Sequence, residues 1–213
     1  VYIPCHNYGT FLGMAIESVI NQIYEEWELI IIDEASNDDT EKISKSFQKK
    51  HPKKIKFVKH TKPLGLQKVA NKILSMANGK YMIRLDADDW FNEAALSILV
   101  QNLEKNPKVG IIYGNYFYTD ILGNILGVEM RHKLGKDDLV GQLPPHGACT
   151  LFRTNDLKEA GGYLENVDAQ DGWDLWYKLY KKVGAMSIDL PIFYYRQHDE
   201  SLSRDSDRLL NAR

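Results

Sequence analysis

A chain of 213 residues, 44% hydrophobic and 26% charged, can bury the core of one α/β domain or of two small ones. Its formal net charge of -2 leaves no basic footprint, which argues against nucleic acid as a partner. Two cysteines, Cys5 and Cys149, cannot build a disulfide framework and lack metal-ligand spacing, so a reducing compartment is expected. No run approaches the roughly 18 apolar residues of a membrane span.

Val1 to Ile3 reads as a β-like fragment ended by Pro4, which cannot donate to a ladder; Cys5-His6-Asn7-Tyr8-Gly9 follows as a loop. The opening is mid-strand and lacks an initiator methionine, and the last residues, Asp199 to Arg213, are polar; a chain cut short at both ends is expected. Leu12, Ala15, Ile16, Val19, Ile20 and Ile23 form the apolar stripe of a helix over Phe11 to Gln22. Trp27 to Ile32 is nearly all apolar, as expected of a strand buried on both faces, and it ends in Asp33 and Glu34. Ser36-Asn37-Asp38-Asp39-Thr40 supplies several N-caps for a helix carrying Ile43 and Phe47. Ile55 to Val58 is a third strand with Lys59 and His60 at its end; Lys62-Pro63-Leu64-Gly65 connects it to a helix over Leu66 to Ala77.

After the turn pair Asn78-Gly79, the strand Tyr81 to Leu85 stops at Asp86, Asp88 and Asp89. Acids this close repel one another and raise each other's pKa unless a cation sits among them. Oxygen ligands suit Mg²⁺ or Mn²⁺ and not zinc or copper. The alternative is a solvated acidic turn with Asp89 or Asn92 capping the next helix, Ala94 to Leu103. The strand-helix alternation predicts an α/β fold with a mostly parallel central sheet, acidic or polar residues closing its strands on one edge.

Beyond Val109 the pattern changes. Ile111 to Tyr118 is aromatic and β-prone, Leu122 to Ile125 reads as a hairpin turn, and residues 129–145 lack periodicity and are expected to be a mobile loop. Ala148 to Arg153 reads as a short strand, Gly161-Gly162-Tyr163 as a turn, and Trp173 to Val183 as a helix presenting Leu175, Trp176, Leu179 and Val183. Ile188 and Ile192 to Tyr195 supply closing strands, and neither repeats nor low-complexity segments occur.

Six blocks stand in order: Ile3 to Tyr8, Ser18 to Gln22, Glu28 to Thr40, Gly79 to Asp89, Gly161 to Tyr163 and Asp171 to Trp176. Each is weakly specific, but their order and spacing resemble the family-2 glycosyltransferases over essentially the whole chain. Those are inverting, nucleotide-sugar-dependent enzymes of the GT-A fold, a Rossmann-like α/β sheet flanked by helices. The resemblance implies a single domain, with residues 1–107 binding a nucleotide-sugar and 108–213 an acceptor. It implies that Asp33, with Glu34 beside it, meets the base or ribose, and that Pro4, Cys5 and His6 pack on the base. Gly65 falls in the same donor-binding set. Asp86-Ala87-Asp88 matches the metal motif, with Asp88 the direct ligand of Mn²⁺ or Mg²⁺, Asp86 nearer the ribose, and His198 able to complete the metal or phosphate site. Asp171 matches the general base that takes a proton from the acceptor hydroxyl, with Asp174 as the alternate.

The chain departs from the family pattern at Glu34, where aspartate is common, at Ala35, where glycine is common, and at His6, where tyrosine is usual. Blander roles stay open at several positions. Asp33 and Glu34 could cap the next helix; His198 could be a plain hydrogen-bonded histidine; His146 is an acceptor-side candidate in a loop. Cys5, Cys149, Trp176 and the tyrosines at 113, 116 and 118 are expected to pack the core, and Trp173 either packs or stacks on a sugar.

The implied partners are a nucleotide-sugar and a carbohydrate or lipid-linked glycan. A cytoplasmic enzyme loosely associated with the inner face of the membrane is implied, acting in surface polysaccharide or lipopolysaccharide assembly. A non-catalytic nucleotide-sugar or glycan-binding module of the same fold is the competing reading. A nucleotidyltransferase lacks its glycine-rich phosphate loop here, and a phosphatase would carry its Asp-X-Asp after the first strand.

Overall fold

The isoleucine-rich run of the second strand organises the molecule, because all of its residues, Leu29–Asp33, are buried. Successive side chains of a strand point to opposite faces, so such a run needs a layer of helices on each side. The computed structural model describes residues 1–131, 147–165 and 173–198. In chain order the elements are β1 (Tyr2–Cys5), α1 (Gly9–Ile20), β2 (Leu29–Asp33), α2 (Thr40–Lys50) and β3 (Ile55–Lys59). Then come α3 (Leu66–Met76), β4 (Tyr81–Ile83), β5 (Trp90–Phe91), α4 (Ala95–Lys105), β6 (Ile111–Thr119) and β7 (Ile125–Glu129). The chain continues with β8 (Thr150–Arg153), α5 (Thr154–Glu159), α6 (Trp173–Val183) and β9 (Ala185–Arg196).

Leu29 and Ile31 face a core that takes Leu12, Ile16 and Val19 from α1 and Leu96, Leu99 and Leu103 from α4. Ile30 and Ile32 face the other, which takes Val69 and Ile73 from α3 and Leu175, Trp176 and Leu179 from α6. The expected core residues Cys5, Cys149, Tyr113, Tyr116 and Trp176 are all buried, while Tyr118 packs at the margin.

β1, β2 and β3 pair in parallel in the order β1-β2-β3. On its other side β1 meets the end of β4 through a parallel bridge between Tyr2 and Arg84, where the Leu85 N–H donates to the Tyr2 carbonyl (3.0 Å). The strand order therefore reverses at β1. A crevice opens at such a reversal, outside the carboxyl ends of the strands, and this is where open α/β sheets bind ligands.

The remaining strands make the sheet mixed and not mostly parallel. β4-β8-β6-β9-β5 run side by side with β7 added to β6; β6–β9 is parallel, while β4–β8, β6–β8, β5–β9 and β6–β7 are antiparallel. The class is still α/β; antiparallel pairs enter where a hairpin and the returning β8 replace helical crossovers.

Pro4 lies inside β1, not beyond it. The Val1 and Cys5 carbonyls accept from Ile30 of β2 and from Glu34 just past its end, so the alternate residue Pro4 turns its missing N–H to the other edge and costs this ladder nothing. The two closing strands expected from Ile188 and from Ile192–Tyr195 are one strand, β9, and β5 and α5 had no strong periodicity to announce them. Residues 132–145 of the expected mobile loop lie outside the described residues, as does His146.

Two backbone positions carry opposite strain. Ala35 has φ of +61°, and Gly162 has φ of +73° with the Asn71 Oδ1 only 2.5 Å from where a Cβ would sit. A left-handed residue other than glycine costs about 1–2 kcal/mol, partly offset by roughly 0.4–1 kcal/mol of unfolded-chain entropy when glycine is absent. Urea denaturation should therefore find Ala35→Gly more stable by about 0.5–1 kcal/mol and Gly162→Ala less stable by about 1–3 kcal/mol. Equal midpoints for both variants and the parent would contradict these conformations.

Candidate active site

The carboxyl edge of β1 to β4 gathers the sequence's candidate residues. Cys5 at the end of β1 is buried, its thiol pushed up to about 11 by burial, with the Thr40 hydroxyl 3.5 Å away. Pro4 is half-buried and His6 exposed. His6 Nδ1 hydrogen-bonds the Glu34 carbonyl at 2.6 Å. Asn7, with φ of +59°, donates its N–H to the Ser36 hydroxyl (2.9 Å) and accepts from the Asn37 N–H (2.8 Å). The loop after β1 is thus stitched to the loop after β2. Gly9 starts α1 in the same seam, donating to Asp38 Oδ2 (2.7 Å), while the Thr40 N–H opens α2 on Asp38 Oδ1 (3.0 Å). Burial raises the Asp38 carboxyl, but these hydrogen bonds outweigh it and hold it below its ordinary range. Asp38, not Asp33 or Glu34, serves the next helix.

Asp33 is sealed from solvent. Its Oδ1 accepts the Ser36 N–H (2.8 Å), and Oδ2 lacks a hydrogen bond, with Lys59 Nζ 3.7 Å away. Direct contact with a base or ribose, expected of Asp33, has no open face in this structure. Glu34 is 7% exposed and is engaged on both oxygens. Oε2 accepts the N–H groups of Leu64 (2.7 Å) and Gly65 (3.0 Å), and Oε1 meets His60 Nδ1.

The acidic turn after β4 divides its carboxylates among different partners. Asp86 pairs with Arg84, whose Nε lies 2.9 Å from Oδ1. Ala87 is buried beneath the turn. Asp88 faces the other way, its Oδ2 2.9 Å from His198 Nε2. Asp89 is buried and does not cap α4, whose N-cap is Ala94 without a side-chain cap; Asn92 accepts the Ala94 N–H (3.0 Å) in the turn before the helix. Burial, then the neighbouring Asp88 and Asp86, push the Asp89 carboxyl well above the usual range; its Oδ2 lacks a hydrogen-bond partner. Burial likewise pushes the Cys149 thiol well above its ordinary value.

Arg196, the last residue of β9, fastens this turn. Its N–H donates to Asp89 Oδ1 (2.9 Å) and its Nε to the Asp88 carbonyl (2.9 Å), while its guanidinium lies over the rings of Phe11 (4.8 Å) and Trp90 (4.6 Å). Two residues later, His198 packs between Tyr8 (5.5 Å) and Phe11 (5.4 Å). The Ser18–Gln22 block proves to be a brace under the same turn. The Ser18 hydroxyl accepts the Phe91 N–H (3.1 Å), and Gln22 donates to the Asn92 carbonyl (2.7 Å) and accepts the Leu96 N–H (2.9 Å).

Across the crevice, Asn71 of α3 grips the Gly-Gly-Tyr turn. Its side chain accepts the Tyr163 N–H (2.8 Å) and donates to the Tyr163 carbonyl (2.9 Å). Asp171 and the side chains of Trp173 and Asp174 lie outside the described residues. The structure thus brings together Pro4, Cys5, His6, Asp33, Glu34 and Gly65 on one flank and Asp86, Ala87, Asp88 and His198 on the other. Among the described residues no group of three or more His, Cys, Asp and Glu side chains could by itself hold a metal. Asp88 and His198 pair with each other, and Asp86 is held aside by Arg84. Arg84, His60, Asn71 and Arg196 were not singled out from the sequence; only the charge of Arg84 and Arg196 beside strand ends rich in acids hinted at them. Among the described residues no helix is long and apolar enough to cross a membrane.

Residues 1–161 match the family described as Glycosyl transferase family 2. The poly-beta-1,6-N-acetyl-D-glucosamine synthase of Staphylococcus epidermidis is 29% identical over 177 residues, covering 79% of this chain and 42% of that protein. The chondroitin synthase of Escherichia coli is 26% identical over 210 residues, covering 95% of this chain and 29% of that protein. The chain thus spans less than half of either relative. Among solved structures, a mannosyltransferase of Pyrobaculum calidifontis in complex with GDP-Man and Mn²⁺ superposes with a TM-score of 0.77 at 18% identity, covering 99% of this chain and 60% of that one. S. aureus TarS in complex with UDP-GlcNAc gives 0.77 at 17% identity, covering 96% and 60%. At such identities the structural likeness carries the GT-A fold alone. The family match over most of the chain carries more: the chain belongs to glycosyl transferase family 2.

Proposed function

We propose that this domain transfers a sugar from a nucleotide-diphosphate sugar to a hydroxyl of a carbohydrate or lipid-linked glycan, with inversion at the anomeric carbon. The observation that carries the reading is the pair Asp88 and His198, 2.9 Å apart at the reversal of strand order. One carboxylate and one imidazole leave coordination positions for diphosphate oxygens and water, which is how Mg²⁺ and Mn²⁺ are held in phosphate-handling sites. The imidazole favours Mn²⁺ of the two. Bound there, the cation neutralises charge on the diphosphate leaving group.

The residues of the chain do the rest. Pro4, Cys5 and His6 line the base side, backed by Asp33 and by the loop that Glu34 anchors at Gly65. Asp86, fixed by Arg84, stands nearest the ribose. Asp171 takes the proton of the acceptor hydroxyl as that oxygen bonds to the anomeric carbon and the phosphate oxygen departs from the opposite face. Residues 1–107 serve the donor and 108–213 the acceptor. Relatives named as polysaccharide synthases support a role in polysaccharide assembly; the same reading extends to lipopolysaccharide and to work at the inner face of the membrane.

Two measurements test this. Sugar-nucleotide turnover should stop in EDTA and return with Mn²⁺, and Asp88→Asn should weaken donor binding and turnover together. Full activity in EDTA would remove the cation from the reaction. Asp171→Asn should lower turnover by roughly 10²-fold or more, a loss typical of a general base, with donor affinity nearly unchanged, whereas Asp174→Asn keeps most of the activity. The reverse pattern would transfer the base to Asp174.

A further inference from the structure

A relay of side chains stands behind the Glu34 anchor of the donor flank. Lys72 Nζ stands 2.7 Å from His60 Nε2, and His60 Nδ1 meets Glu34 Oε1. An ammonium only donates hydrogen bonds, so Nε2 accepts and the imidazole proton sits on Nδ1, directed at the carboxylate. The second oxygen, Oε2, receives two successive N–H groups, Leu64 at 2.7 Å and Gly65 at 3.0 Å. Gly65, with φ of +88°, is the residue at the start of α3, where amide N–H groups and the helix dipole favour a negative charge. The Glu34 carboxylate is that charge. His60 and Glu34 are 7% exposed each, so these hydrogen bonds are shielded from competing water.

We propose that Glu34, His60 and Lys72 are positioning residues that hold the loop 61–65 at the edge of the donor crevice. The inference rests on the nucleotide-sugar reading. The loop is exposed at Thr61, Lys62 and Pro63, and these bonds tie it back to the end of β2. The glutamate at this position matters for its length. Aspartate is one methylene shorter and cannot span from β2 to both His60 and the Leu64–Gly65 amides. The direction of the relay matters too. In Glu34→Gln the amide nitrogen would face either the Nδ1 proton or the Leu64 and Gly65 N–H groups, and turning the tautomer to relieve the first would point an Nε2 proton at the Lys72 ammonium.

His60→Asn keeps a nitrogen donor at the Nδ1 position, whereas His60→Leu removes both ring nitrogens at similar bulk. In the full chain with Mn²⁺, calorimetric titration of UDP and GDP should find whichever nucleotide binds weakened about tenfold in His60→Leu and in Glu34→Asp, the worth of one hydrogen bond to a charged group. His60→Asn should stay within about threefold of the parent. Amide hydrogen exchange of peptides spanning 61–66 should quicken in His60→Leu and Glu34→Asp and be restored in His60→Asn. Unchanged exchange in His60→Leu would overturn the anchoring. Quickened exchange with unchanged nucleotide affinity would overturn the positioning role. Failure of the parent chain to bind either nucleotide would instead remove the functional reading on which the donor role rests.

Discussion

Arg196 is the joint on which the site depends. Three carboxylates, at Asp86, Asp88 and Asp89, occupy one turn, and a buried turn so charged is not stable without compensation. Compensation comes from separate directions. Arg84 takes Asp86, and the backbone N–H of Arg196 takes Asp89. The Arg196 guanidinium holds the Asp88 carbonyl and fills the space between Phe11 and Trp90. Burial lowers the affinity of this guanidinium for its proton, and the neighbouring Asp89 and Asp88 oppose that. What remains uncommitted to arginine is the Asp88 side chain, and β9 ends in register to set His198 against it.

This arrangement ties the acidic turn of the first half of the chain to the last strand of the second. β9 pairs with β5 on one side and β6 on the other, so its terminus is fixed by two ladders before it reaches the acidic turn. The brace from Ser18 and Gln22 fixes the same turn from α1. The donor flank is set separately, by the seam of Asn7, Ser36 and Asp38 and by the Glu34 carboxylate at the start of α3. The two flanks meet at β1, through the Tyr2–Arg84 bridge, and where His198 packs against Tyr8 and Phe11.

Much of this was legible in the sequence, for identifiable reasons. The buried run at β2 and the apolar stripes of α1, α3 and α4 have strong periodicity, and the acids at strand ends fell on one edge because parallel strands end together. The mixed sheet was not legible, since antiparallel β8 and the parallel β6–β9 pair are choices among long-range partners that no local pattern records. Asp33 shows the same limit in the site. Residue type and motif suggested a ligand contact, but register buries it behind Ser36 and Lys59, and only the fold reveals that. Glu34 and Ala35 were visible as departures from the family, yet their meaning, a longer reach to Gly65 and a strained left-handed backbone, needed coordinates.

The central claim, that Asp88 and His198 jointly hold the cation, is tested most directly by electron spin-echo spectroscopy of bound Mn²⁺ with UDP or GDP present. The account predicts modulation from one imidazole nitrogen in the parent protein, abolished in His198→Gln while Mn²⁺ remains bound through Asp88 and the diphosphate. Mn²⁺ bound tightly with no nitrogen modulation in the parent, or with the same modulation in His198→Gln, would contradict it.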